Sequence, residues 1–184
     1  MIYEKVIEGK YVDLKSCTEE DAEFTLAIRQ DPKFIKYLPK INNTVEQQKA
    51  WISYQRKKEG DYFFVVWDKL GNRIGTIGVY DINGEQAEAG RNIILGDSFQ
   101  AIEASLLLSQ FEFYVLKLKC VKAFIFAENK RAIRFNKLFG GIISNIHVDD
   151  KQQIKGANGK QIVDCVFLYE NFKYVEKKIS SALY

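Results

Sequence analysis

From Glu85 to Gly141 the chain reads strand, helix, strand, helix with almost no spare residues. EQAEAGRNIIL is a strand, GDSFQAIEASLLL opens a long apolar helix, KCVKAFIF is a β-branched strand and ENKRAIRFNKLFGG is a second helix. A strand that feeds directly into a helix N-terminus brings unpaired backbone N–H groups to one place, where they favour phosphate oxygens. This segment therefore constrains both the fold and the ligand class.

The flanking elements follow from pattern and turn chemistry. Gly9–Ser16 (GKYVDLKS) reads as a first strand. Thr18-Glu19-Glu20-Asp21 is a capping-box variant whose acidic first turn suits a helix from about Glu19 to Arg29, burying Ala22, Phe24, Leu26 and Ile28 in part. Asp31-Pro32 starts a short helix through Tyr37, with proline near its first position. Thr44-Val45-Glu46-Gln47 opens another helix, to about Lys58. Asp61–Asp68 (DYFFVVWD) has the length and composition of a buried strand, and KLGN at 69–72 turns it into Arg73–Ile82. Asn83-Gly84 is a hairpin signal into the Glu85 strand. A last pair, roughly Ile142–Val148 and Gln161–Tyr169, is joined by a polar loop, and the residues from Glu170 read as a lightly packed tail. The order predicts an α/β (α+β mixed) fold over a single domain, 1–184.

Composition excludes several classes. Cys17, Cys120 and Cys165 are widely spaced and there is one histidine, His147, so neither a structural zinc site nor a disulfide framework is expected. No apolar leader opens the chain and no long uncharged apolar run occurs, so the expectation is a cytoplasmic protein with no membrane partner. A net charge of +3 and the lack of a nucleic-acid motif argue for no nucleic-acid partner, despite the basic stretch Lys130–Lys137.

The two helix openings resemble those of the GNAT superfamily of acetyl-CoA-dependent N-acetyltransferases, most closely its Rim-type branch. Asn129-Lys130-Arg131-Ala132-Ile133 is similar to the family's N-x-R-A-I, Glu103-Ala104 to the Glu-Ala after its pyrophosphate loop, and Glu88-Ala89-Gly90 to the Rim-type E-x-G. The resemblance implies a mostly antiparallel seven-stranded sheet with helices on both faces and a splayed central strand pair. It also implies acetyl-CoA as co-substrate, a small-molecule or peptide amine as acceptor, and a monomer or homodimer. By the same resemblance the cofactor would lie on Ile93, Ile94, Leu95, Gly96, Ala101, Ile102, Asn129, Lys130, Arg131 and Asn136. Strand alternation puts Glu88, Gly90, Asn92 and Ile94 on one face and Ala89, Arg91, Ile93 and Leu95 on the other.

Acetylation of an amine needs a proton acceptor near the amine and a donor or dipole near the sulfur. Glu88 is the expected base. Asn136 stands where many relatives carry a tyrosine acid, and is the expected sulfur or pantetheine contact. Tyr80 and Tyr114 are phenols without an assigned place. Phe34, Tyr37, Trp51 and Tyr54 are candidates to line the amine pocket, with Asp31, Asp149 and Asp150 as its acidic groups. The chain departs from the family at the pyrophosphate loop, where Phe99 occupies a glycine position and Asp97 adds negative charge. That departure keeps an alternative open, a non-catalytic acyl-CoA or ligand-binding module.

Overall fold

A computed structural model describes residues 1–38, 41–151, 153–154 and 159–184. One sheet runs through it. Its strands are β1 (Ile7–Glu8), β2 (Val12–Ser16), β3 (Tyr62–Asp68), β4 (Arg73–Asn83), β5 (Gln86–Ile94), β6 (Cys120–Phe126), β7 (Ile142–Ile143), β8 (His147–Val148) and β9 (Gln161–Leu168). The spatial order is β1-β2-β3-β4-β5-β6-β9-β7, with β8 also on β9. All pairings are antiparallel except β5 with β6. Among the described residues the strand count rises from the expected seven to nine, because a short β1 precedes the first strand and the predicted 142–148 strand breaks into β7 and β8. The predicted loop before β9 lies partly outside the described residues.

The helices are α1 (Ala22–Gln30), α2 (Pro32–Ile35), α3 (Val45–Lys57), α4 (Ser98–Gln110), α5 (Lys130–Leu138) and α6 (Tyr169–Leu183). The predicted first helix opens as a 3₁₀ turn at Glu19–Asp21, and α2 stops two residues short of Tyr37. The Thr44 box forms as read: the Thr44 hydroxyl accepts from the Gln47 N–H, and the Gln47 side chain accepts from the Thr44 N–H at 2.9 Å.

Alternation along the strands divides the core between two faces. Phe64, Val66, Ile77, Val79, Ala87 and Val121 pack with Leu107, Leu108 and Phe111 of α4 and its extension, and with Phe172 and Ile179 of α6. Phe63 and Val65, one residue out of phase, pack with Ala22 of α1 and Ile52 of α3. The expected tail is thus corrected to a docked helix. Phe172, Ile179 and Leu183 fall at helical spacing on its buried side, so packing supplies the stability that a polar-rich segment lacks alone.

Two features of this frame position the site. Parallel β5 and β6 pair only at Gln86–Glu88 with Cys120–Lys122, and beyond Glu88 they separate. The splayed pair implied by the family resemblance is therefore present, with its apex at Glu88. Both strands run toward the open end, where α4 and α5 begin.

Candidate active site

Glu88 is half-buried at the apex of the fork. It lies opposite Tyr80 across the β4–β5 ladder, and the Tyr80 hydroxyl donates to Glu88 Oε1 at 2.7 Å. Burial raises the Glu88 pKa above the ordinary carboxylate value, Asp81 adds to that, and the Tyr80 hydrogen bond and Arg91 act against it. Burial and the adjacent Glu88 charge raise the Tyr80 phenol, which stays protonated as a donor.

The alternation expected along β5 fails at Arg91. The register slips by one residue between the Gly78–Gly90 and Thr76–Ile93 pairs, and Arg91 adopts φ 55°. Left-handed backbone in a non-glycine residue costs about 1–3 kcal/mol and needs an outside anchor. Here Arg91 forks onto Asp61 at 2.5 and 2.8 Å, and Asp61 is buried and receives Gln55 Nε2 at 2.9 Å. The bulge brings Arg91 to the α1/α3 face, its guanidinium 4.4 Å from the Tyr80 ring centroid and 5.2 Å from that of Trp51. It also returns Ile94 to the face of Ala87 and Ala89, opposite to the simple alternation.

The cofactor positions fall as follows. Ile93 is buried, and the Leu95 amide donates to Ile74 O at 2.7 Å, so it is committed to β4. Antiparallel alternation then turns the backbone of Ile94 toward the fork. Gly96 leads into α4, where Asp97, rather than Ser98, is the cap. The Asp97 carboxylate accepts from the Gln100 N–H at 2.9 Å, and the Gln100 side chain accepts from the Asp97 N–H at 2.9 Å. Among the described residues, Ser98 and Phe99 at the first turn have no protein acceptor for their N–H groups. Phe99 is 53% exposed and its ring lies 5.7 Å from Tyr11, beside β2. It leans away from the fork, since β2 stands three strands from β5. Ala101 and Ile102 are half-buried in the first turns of α4.

At the second helix, Asn129 caps α5 by accepting from the Ala132 N–H at 3.1 Å, which leaves its amide hydrogens free to donate. Lys130 and Arg131 are exposed beside that cap, and Gly140 closes the helix with φ 77°. Asn136 spends one amide hydrogen on Ala132 O at 2.8 Å, inside its own helix. That bond leaves a second hydrogen and the carbonyl for a ligand, and no proton to give.

The remaining candidates have the following partners. Tyr114 bonds Glu176 of α6. Trp51 packs on Phe63, whereas Tyr54 is exposed and Tyr37 packs against the Phe126–Ile162 cluster. Asp31 and Asp149 cap neighbouring backbone N–H groups. His147, on β8, sits 3.3 Å from Asp164. Sequence reasoning left Tyr80 unplaced and gave Arg91 no role. The E-x-G-R run facing a tyrosine strand carries the signal, but only the register makes it visible.

Residues 12–141 match the acetyltransferase (GNAT) domain family. No curated protein matches the chain in sequence. Among solved structures, the chain is similar to a GCN5-related N-acetyltransferase from Brucella melitensis, with a TM-score of 0.82 at 20% identity over 99% of this chain and 86% of that one. The spermidine N-acetyltransferase from Vibrio cholerae, in complex with CoA and spermine, superposes with a TM-score of 0.79 at 17% identity, over 90% and 99%. FdhC, a nucleotide-linked sugar GNAT in its apo form, gives 0.78 at 20% identity, over 100% and 98%. At these identities the likeness is one of fold.

Proposed function

We propose that this chain, which belongs to the GNAT acetyltransferase family, acetylates a primary amine by direct attack within a ternary complex at the β5–β6 fork. The observation that carries the reading is the end of the parallel ladder at Glu88, which puts a half-buried carboxylate at the point where the strands part. The acceptor class is a protein N-terminus, in keeping with the Rim-type resemblance, or a small amine such as an amino sugar or polyamine. The spermidine and nucleotide-linked sugar acetyltransferases among the similar folds lend support to the small-amine class alone.

The residues present fit acetyl-CoA. The fork leaves one edge of β5 without a neighbouring strand beyond Glu88, and Ile94 presents backbone to it. Two helix N-termini lie at its open end, with Lys130 and Arg131 beside one of them. Asn129 and Asn136 each keep an amide hydrogen for the pantetheine arm. When bound, acetyl-CoA supplies a thioester carbonyl open to attack.

The chain's own part is to orient and to move a proton. Glu88, with its pKa raised, takes the proton released as the amine nitrogen bonds to carbon. As the C–S bond breaks, the thiolate takes a proton from solvent. Its pKa near 8.5 makes it a tolerable leaving group without a dedicated acid. That accounts for an active site with Asn136 in place of a phenol.

Free-thiol release from acetyl-CoA with a panel of spermidine, glucosamine and N-terminal peptides tests the reading. Glu88→Gln should lower turnover by about 10²-fold or more while acetyl-CoA affinity stays within about twofold. Unaltered turnover rejects Glu88 as base. Acetyl-CoA binding without turnover of any acceptor would favour the binding-module alternative.

A further inference from the structure

We infer that Tyr80 is the positioning residue for Glu88, and that glycine at 90 is required to admit its hydroxyl. The inference rests on the reading of Glu88 as base and adds the device that aims it. Tyr80 and Glu88 are register partners, with the phenol O–H donating to Oε1 at 2.7 Å. That bond fixes one carboxylate oxygen and leaves Oε2 to receive the amine proton. Tyr80 donates a hydrogen bond and surrenders no proton, because burial and the Glu88 charge both hold the phenol in its neutral form.

Three further contacts make the arrangement a built one. A Cβ on residue 90 would collide with the Tyr80 hydroxyl and crowd the Tyr80 ring, so the E-x-G spacing creates the space into which the phenol reaches. The Arg91 guanidinium covers the Tyr80 ring at 4.4 Å and closes the other side. Arg91 is itself fixed by the fork onto buried Asp61, which Gln55 of α3 secures. In a regular strand residues 88 and 91 would face opposite ways. The bulge at Arg91, held at φ 55°, puts both on the Tyr80 side.

The charged and titratable groups around Glu88 are Tyr80 and Asp81 from β4, Arg91 from β5 and Lys122 opposite on β6. Arg29 of α1 is coupled to the Tyr80 phenol. Tyr80 donates directly to the carboxylate at 2.7 Å. Its hydrogen bond favours the ionised form.

The test compares wild type, Tyr80→Phe and Glu88→Gln. One arm follows the ¹³C resonances of the glutamate side chains through pH, with Glu88→Gln identifying the signal; the other records kcat and KM against pH, using acetyl-CoA with spermidine, glucosamine and N-terminal peptides. In Tyr80→Phe the Glu88 titration and the acid limb of kcat should both move to higher pH. Plateau kcat should fall about tenfold, with KM for acetyl-CoA within about twofold. A Gly90→Ala variant should act through the same contact, so adding it to Tyr80→Phe should shift the titration no further. An unmoved Glu88 titration in Tyr80→Phe overturns the inference, as does a moved titration with unchanged kcat. Full turnover in Glu88→Gln overturns the base itself and the role of Tyr80 with it, whereas an inactive Glu88→Gln beside an unmoved titration rejects the positioning alone.

Discussion

Two glutamates buried along α4 and its extension meet opposite fates. Glu103 accepts N–H bonds from Lys10, Tyr11 and Val12 at 2.6–2.8 Å and the Tyr184 hydroxyl at 2.6 Å, so one carboxylate ties the turn before β2 to the end of α6. Glu112, in the π-helical turn Phe111–Val115, is fully buried with Oε1 unpartnered, and burial pushes its pKa from 4.5 up to about 8. A carboxyl raised in this way keeps its proton in the fold while the unfolded chain releases it. Stability therefore falls as pH rises from about 4.5 to about 8, by up to tenfold in the folding constant per pH unit, and levels off above. Glu112→Gln removes that slope. Urea unfolding should find the variant more stable than wild type at pH 8 and little changed at pH 5; an equal effect at both would contradict the assignment. Single residues were unevenly legible. The E-x-G neighbourhood singles out Glu88 in the sequence, whereas nothing local distinguishes Glu103 from Glu112, because their difference lies in what faces them in the fold. That Asn136 has no proton to give follows from its side chain, but its bond to Ala132 O depends on a rotamer that sequence does not encode.

The element that departs most from the family resemblance is the N-terminus of α4. Asp97 and Gln100 satisfy one another there, so a carboxylate already occupies the positive end of the helix. A cap is a local pattern, but Asp97 and Ser98 are adjacent residues that both cap well, so sequence alone does not choose between them. Asn caps as well as Asp but carries no charge. Asp97→Asn should therefore keep thermal stability within about a degree or two and tighten acetyl-CoA binding about fivefold at low salt, on the order of 1 kcal/mol. Titration calorimetry showing equal or weaker binding would argue that the diphosphate does not approach α4. The bulge in β5 was beyond sequence reading for a different reason. Arg91 is anchored by Asp61, thirty residues earlier, and nothing within the strand announces a partner at that distance. The last helix was missed because its apolar residues are spaced for packing against α4 and carry no strong N-terminal cap.

At the scale of the molecule, the order of elements was legible because each long strand and helix has its own period and its own turn chemistry. β3, β4, β5, β6 and β9 stand within a residue or two of where the patterns put them. The short strands β1, β7 and β8 exist through pairing alone and leave little trace in two residues of sequence. No helix among the described residues is long and apolar enough to cross a membrane. The family resemblance implied a splayed strand pair, and the register shows where it opens, at Glu88. The proposed acetyl transfer depends on what lies in that opening. A crystal structure with acetyl-CoA bound tests it most directly. The expected result is a pantetheine arm between residues 89–94 of β5 and residues 123–126 of β6, bonded to the Ile94 backbone, with the thioester beside Glu88. Acetyl-CoA bound elsewhere on the protein, with the fork empty, would contradict it.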